Sequence, residues 1–247
     1  MAGHSKWANI KHRKGAQDAR RGKIFTKLIK EISVAAKEGG AEIENNPRLR
    51  LAIQNAKGQN MPKENIDRAI KKAVGSDATN YIEITYEGYG SNGVAVFVEC
   101  MTDNQNRTVS NVRAAFSKNG GSLATNGSVE YLFERKGIFS LAKPAGIDMD
   151  DLTLELIDGG AEDVEAVEDY INVSCALEDF GAMQKKFEAL KMEPENAELQ
   201  RIPTTTVALD DEAFKKVMKL IDTLEDDDDV QKVYHNIEAT DAQLESL

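Results

Sequence analysis

Cationic side chains crowd the first thirty residues of the chain, and aromatic side chains are interleaved with them. Phosphates bind such a pattern, because each neutralised charge releases a condensed counterion and an aromatic ring can stack on an unpaired base. The segment therefore predicts a nucleic-acid-binding surface. Its candidate residues are Lys6, Trp7, Lys11, His12, Arg13, Lys14, Arg20, Arg21, Lys23, Lys27 and Lys30.

The same residues have a plainer interpretation, in which a solvated helix face follows a flexible tail and Trp7 pins that tail to a helical bundle. A membrane-surface role is a third option. It is disfavoured, because the apolar face opposite the lysines is needed for the bundle core. We therefore favour nucleic acid as the partner and expect no membrane contact.

The charge distribution supports this choice. The chain has 247 residues and a net charge of −11. Residues 1–75 hold 17 Lys and Arg against 7 Asp and Glu, a local balance of +10, which leaves −21 for residues 76–247. Such asymmetry between segments indicates an electrostatic partner for the basic one, and the common partners are nucleic acid and anionic membrane.

Two other groups of cations offer weaker candidate surfaces. A predicted helix over 104–119 carries Arg107, Arg113 and Lys118, which form either a solvated edge or a second contact with RNA or DNA. The second and third predicted helices are joined by a glycine-containing turn with helix-turn-helix spacing. In that interpretation a recognition helix presents Lys63, Asn65, Arg68, Lys71 and Lys72.

Signals for catalysis, cofactors and metals are poor. Gly88, Gly90 and Gly93 match a dinucleotide-binding spacing, but the apolar run VAVFVE after them predicts a strand where that motif needs a helix. The acidic stretch 225–229 lacks the spacing of a calcium loop and is expected to be an exposed helix-to-strand connection. We expect no catalytic residue, no metal, no cofactor and no small-molecule substrate. A metal-dependent nuclease and a pure protein adaptor are the competing classes.

The spacing of apolar residues predicts the helices and strands that position the basic residues. Apolar residues at helical spacing predict three short amphipathic helices before residue 75, and the first of them has its lysines opposite its apolar stripe. Beyond Tyr81 the pattern changes to strands mixed with helices, including a strand with Val129, Tyr131 and Phe133 on alternate positions. This mixture of short strands and helices predicts α+β domains of ferredoxin-like type.

Cysteine usage and the chain's start predict the compartment. Cys100 and Cys175 are the two cysteines, and both lie in strand-like apolar runs. Buried free thiols are typical of a reducing environment. The first residues have no apolar core of a signal peptide, so a cytoplasmic location is expected, or at most an organellar one whose targeting segment is absent here.

Four sequence signatures resemble one known family. They are the opening AGHSKWANIKHRKGAQDARRGKIFTKLIKEI, the turn YEGYGSNGVAVFVE, the stretch DNQNRTVSNVRAAFSKNGG with GSVEYLFERKG, and the closing DDDDVQKVYHNI. Together they are similar to the YebC/PmpR family, which also includes a mitochondrial translational activator of cytochrome oxidase subunit I. The resemblance spans essentially the whole chain.

The resemblance implies an N-terminal helical domain followed by two α+β domains, one inserted in the other. Transferred to this chain, it predicts a basic helical domain over 1–79. It also predicts a middle domain formed by 80–134 plus 204–247, and an inserted domain over 135–203.

The resemblance also implies a function. Family members are cytoplasmic and are usually described as DNA-binding transcriptional regulators, whereas some act on the ribosome and support translation of difficult sequences such as proline-rich ones. The leading hypothesis is a non-enzymatic DNA-binding transcription regulator. The alternative is a ribosome-associated translation factor that binds rRNA or tRNA. We favour a monomer.

Overall fold

A computed structural model describes residues 18–76, 78–143, 146–167 and 169–245. Within these ranges the chain forms eight α-helices and ten strands. None of these helices is both long and apolar enough to cross a membrane. The helices are α1 (Asp18–Gly39), α2 (Pro47–Gly58), α3 (Lys63–Ala73), α4 (Gln105–Lys118), α5 (Met149–Asp158), α6 (Phe180–Ala189), α7 (Asp211–Glu225) and α8 (Asp241–Glu245).

Most of the strands are short and lie between these helices. They are β1 (Ile82–Tyr89), β2 (Ala95–Thr102), β3 (Ser122–Leu123), β4 (Phe133–Ala142), β5 (Ala161–Val167), β6 (Tyr170–Ala176), β7 (Asn196–Pro203), β8 (Val207–Ala208), β9 (Val230–His235) and β10 (Ile237–Glu238).

The chain separates into two compact units. The first unit takes the chain up to Lys30 together with Gly75–Glu134 and Ile202–Leu247, and the second takes Glu31–Val74 with Arg135–Arg201. The division into three domains at 79, 134 and 203 stays a prediction.

The first unit is built on an antiparallel sheet with strand order β3-β1-β2-β9. β1 and β2 form a hairpin that runs in register from Ile82 opposite Thr102 to Tyr89 opposite Ala95. The hairpin turns through Asn92 and Gly93, which adopt φ values of 59° and 75°. Glycine adopts such values at no steric cost. The spacing Gly88, Gly90, Gly93 therefore forms a hairpin turn that leads into a strand, as predicted.

Helices α4 and α7 cover one face of this sheet. Phe116 from α4 and Phe214 from α7 are 0% and 1% exposed and pack with Val96 and Val98 of β2. Burial of an aromatic side chain contributes about 2 kcal/mol or more, so this cluster fixes both helices on the sheet. The ends of these two helices position the residues discussed below.

The second unit contains a sheet with strand order β5-β6-β4-β7. Taken with α5 and α6, the chain order is β4-α5-β5-β6-α6-β7, which is the ferredoxin-like arrangement. Phe139, Met183 and Phe187 are at most 1% exposed and form the centre of its core. The α+β class with ferredoxin-like character is therefore confirmed.

The helical segment of the second unit follows the predicted pattern closely. The Asn46 side chain caps α2 by accepting a hydrogen bond from the Leu49 amide at 3.0 Å, and Pro47 occupies the first turn. The buried residues of α2 are those that helical spacing predicts, namely Leu49, Ala52, Ile53 and Ala56.

One predicted strand is wrong. Residues Glu130–Leu132 form a short 3-10 helix, and Tyr131 is 73% exposed where alternation with Val129 and Phe133 places it in a strand. The reason is the buried carboxylate of Glu87, which accepts hydrogen bonds from the backbone amides of this segment.

Candidate nucleic-acid interface

The predicted cationic face of the first helix exists as a row of three lysines on α1. Lys23, Lys27 and Lys30, here called the lysine face, recur at intervals of three and four residues and share one side of the helix. Lys23 and Lys27 are half-buried, whereas Lys30 is only 8% exposed. The ammonium of Lys30 is therefore enclosed, unlike those of the other two lysines.

The lysine face contacts residues 225–229, here called the acidic run, which connects α7 to β9. The Lys23 ammonium donates to the Asp226 carboxylate at 2.6 Å, and the Lys27 ammonium donates to the Glu225 carbonyl at 3.0 Å. Lys30 donates to the Asp228 carbonyl at 2.7 Å. All three acceptors lie at or just after the C-terminus of α7, where the helix dipole favours cations.

Asp229 closes the acidic run and is the most enclosed of its carboxylates, at 3% exposure. Its oxygens accept from Lys30 at 3.0 Å, from Thr108 at 3.0 Å, and from Arg107 through Nε at 3.0 Å and Nη2 at 2.7 Å. The prediction of a wholly exposed acidic run is wrong for Asp229, because two cations and a hydroxyl compensate its burial.

Burial by itself favours the neutral form of Asp229, but hydrogen bonds from Arg107, Lys30 and Thr108 outweigh it and hold the pKa of Asp229 below its ordinary value of 3.8. The unfolded chain then takes up the proton first as the pH falls. Asp229 thus stabilises the fold above its unfolded-state pKa, and this contribution is lost as the pH drops through the lower folded-state pKa.

Acid should therefore destabilise the wild type more steeply than a variant without this carboxylate. We expect the thermal midpoint to fall more between about pH 5 and pH 2 in the wild type than in Asp229→Asn. Circular dichroism melting at a series of pH values measures both slopes. Equal slopes would show that an ionised Asp229 does not contribute to stability.

The second predicted contact surface on α4 separates into two parts. Arg107 is bound to Asp229 and also to Asp103 at 2.8 Å, so its guanidinium is paired within the chain although its side chain is 46% exposed. Arg113 and Lys118 are exposed. Lys118 lines a cavity of about 310 Å³ with Thr223 and Asp226, and this cavity is flanked by acidic side chains. The second contact surface on α4 stays a prediction.

Several of the predicted binding residues lie outside the described residues. They are Lys6, Trp7, Lys11, His12, Arg13 and Lys14. Arg20 and Arg21 belong to α1, and their side chains lie outside the part of the chain that the structure describes.

The helix-turn-helix spacing between α2 and α3 is present in the structure. Four residues, 59–62, separate the two helices. Asn60 adopts φ 56°, its amide donates to the Lys57 carbonyl at 2.8 Å, and the Met61 amide donates to the Ala56 carbonyl at 2.9 Å. This pair of bonds is the Schellman motif that ends a helix with a residue in the left-handed region.

Reasoning from the sequence did not identify the acidic run as the partner of the lysine face. A signal for it was present, because a segment of +10 and a remainder of −21 in one chain can satisfy each other without any second molecule. Periodicity identifies which side of α1 is cationic. It does not identify what that side contacts.

These features define an α+β protein with a cation-rich N-terminal segment and two antiparallel sheets. Residues 5–76 match the family profile described as the TACO1/YebC protein N-terminal domain, and residues 81–237 match that of the TACO1/YebC second and third domain. The chain belongs to the TACO1/YebC family, as the sequence signatures predict.

Similar proteins are known from several bacteria. A "Probable transcriptional regulatory protein" of Amoebophilus asiaticus is 61% identical over 239 residues, which cover 96% of this chain and 98% of that one. Another, from Photobacterium profundum, is 55% identical and covers both chains completely. The crystal structure of a conserved hypothetical protein from Aquifex aeolicus matches with a TM-score of 0.81 at 44% identity, covering 91% of this chain and 93% of that one.

Proposed function

We propose that the protein is a non-enzymatic, cytoplasmic regulator that binds nucleic acid, and specifically a DNA-binding regulator of transcription. The observation that carries the proposal is the concentration of positive charge in residues 1–75, at +10, within a chain of net charge −11. The names of the similar bacterial proteins support the regulatory role.

The surface that we propose begins in the cationic tail and continues onto α1. It comprises the basic and aromatic residues of the tail from Lys6 to Lys14, together with Arg20 and Arg21 at the start of α1. On α1 it includes Lys23 and Lys27, which keep some exposure. Lys30 is left out, because its ammonium is enclosed with Asp229.

Binding to such a surface should depend strongly on salt. For the full-length chain and a fluorescein-labelled DNA duplex, we expect log K to fall linearly with log salt, with a slope of about −0.9 per phosphate contact. Fluorescence anisotropy over a salt series measures this slope. No binding at about 50 mM salt, where phosphate contacts are strong, would overturn the proposal.

The type of nucleic acid is decided by a separate experiment. Crosslinking in cells, followed by sequencing of the bound DNA and RNA, should recover promoter DNA. Recovery of ribosomal RNA and tRNA in its place would contradict the transcription role and establish the ribosome-associated alternative. Degradation of the duplex on addition of magnesium or manganese would contradict the non-enzymatic role.

A further inference from the structure

We propose that the exposed face of α3 formed by Arg68, Lys71 and Lys72 is a second contact for duplex DNA, and that it binds the phosphate backbone. The inference rests on the proposed function and deepens it by naming a surface outside the tail and the lysine face. The proposed ligand is duplex DNA, and an RNA duplex is the comparison in the experiment below.

At the lysine face, a polyanion has to compete with contacts that the lysines already make within the protein. Its three ammonium groups already donate to the acidic run at distances between 2.6 and 3.0 Å. A phosphate backbone must displace those contacts and then lies beside the carboxylates of Asp226 and Asp228. Binding there exchanges one set of charge contacts for another, so the gain from counterion release is reduced.

The cations on α3 are in the opposite situation. Arg68, Lys71 and Lys72 are all exposed. Within the described residues, none of the three side chains makes an ion pair or a hydrogen bond. A phosphate backbone at this face breaks no protein contact of the three cations, and the opposing charges it approaches on α3 are the exposed carboxylates of Glu64 and Asp67.

The packing of α3 fixes the direction of this face. Ile66 and Ala69 are 4% and 5% exposed on the inner side of the helix. Lys71 and Lys72 lie three and four residues after Arg68, a spacing that places all three on one side of an α-helix. The three cations therefore form a single patch on the outer side.

The turn before α3 holds the helix in place. Met61 is 5% exposed and follows Asn60, the residue that ends α2 in the left-handed region. α2 is itself anchored within the second unit, because Gln54 and Asn55 donate to the carbonyls of Pro194 and Ala197, each at 2.9 Å. α3 therefore follows α2 through a hydrogen-bonded turn of the length that joins the two helices of helix-turn-helix proteins.

The residue types on this face favour phosphate contacts over sequence recognition. All three are cations in the second half of α3, whereas base contacts in helix-turn-helix proteins come from the first residues of the second helix. Asn65, the amide side chain nearest the start of α3, is half-buried. The patch should therefore position the duplex without selecting its sequence.

The test compares two triple variants of the full-length chain. In the first, Arg68→Gln, Lys71→Gln and Lys72→Gln remove the patch. In the control, Lys185→Gln, Lys215→Gln and Lys219→Gln remove the same number of exposed positive charges from α6 and α7. Both variants keep good helix formers and should retain the wild-type circular dichroism spectrum and melting curve.

Binding of labelled DNA and RNA duplexes is measured by anisotropy over a salt series. The α3 variant should bind about tenfold to a hundredfold more weakly at low salt, and its salt slope should be shallower by about 2.7, which corresponds to three phosphate contacts. The control should keep the wild-type slope. Equal salt slopes of log K for the two variants would overturn the inference while leaving the proposed function intact. Wild-type chain that binds neither duplex would instead overturn the proposed function.

A gain of affinity provides an independent measurement. Glu64 is exposed on α3 and lies four residues before Arg68, on the same face. Glu64→Gln removes its repulsion of phosphate and should raise the affinity a few-fold. Unchanged or weaker binding would contradict a phosphate contact at this face. The effect should be larger on the DNA duplex than on the RNA duplex, and the reverse would contradict DNA as the ligand of this face.

Discussion

Replacing Asp229 by Asn will lower the free energy of unfolding by about 3–5 kcal/mol, the range for breaking a buried ion pair by removing one partner. The carboxylate is 3% exposed and accepts from Lys30, Arg107 and Thr108. The Asn amide supplies one oxygen for these donors and turns an NH₂ group toward the others. Lys30, itself 8% exposed, then loses its carboxylate partner and has only carbonyl acceptors.

Urea unfolding followed by circular dichroism measures this loss. Asp228→Asn is the matched control, because Asp228 lies in the same acidic run but has an exposed side chain, so its urea midpoint should change little. In Lys30→Met combined with Asp229→Asn, the cost should be smaller than the sum of the two single changes, since neither charge is left alone. An Asp229→Asn loss below about 1 kcal/mol, the size of a surface pair, would contradict a structural role for this centre.

Asp229 also shows why the candidate site could be predicted only in part. Helical periodicity correctly places Lys23, Lys27 and Lys30 on one side of α1, because that depends only on residues within a few turns. The partners of Asp229 are Lys30, 199 residues away, and Arg107, 122 residues away. No local pattern records such pairings, so the sequence predicts a solvated acidic run.

The same distinction explains the success with the fold. The buried positions of α2 and the cap at Asn46 were predictable, because an amphipathic helix and its cap are specified within a dozen residues. The discontinuous first unit, in which 75–134 joins 202–247 across the chain, follows only from strand pairing between β2 and β9. Only the family resemblance, and not periodicity, led to the expected middle domain of 80–134 plus 204–247, since periodicity does not specify which strands pair.

The segment around Tyr131 is a third case, in which a local pattern was overridden. Alternation of Val129, Tyr131 and Phe133 indicates a strand, yet only Val129 and Phe133 are buried, at 0% and 7% exposure. Backbone amides of this segment donate to the side chain of Glu87, a residue of β1. These amides are therefore not available for the hydrogen bonds of a strand ladder. A buried carboxylate 40 residues before Gly127 in the chain thus determines the local backbone.

Glu87→Gln should therefore destabilise the first unit by about 2–4 kcal/mol, through one lost bond and two weakened charge-assisted ones. Glu87 is 1% exposed, and its carboxylate accepts from the amides of Gly127 at 2.6 Å, Val129 at 2.6 Å and Glu130 at 2.9 Å. The Gln amide can still accept from two of these, but its NH₂ group meets the third donor.

Urea unfolding measures the loss of unfolding free energy in Glu87→Gln, and hydrogen exchange should show faster exchange of these three amides. Glu83→Gln, on the exposed part of β1, is the control and should leave exchange there unchanged. Wild-type exchange rates in Glu87→Gln would mean that the backbone of 127–130 is held by its own turn and not by the carboxylate.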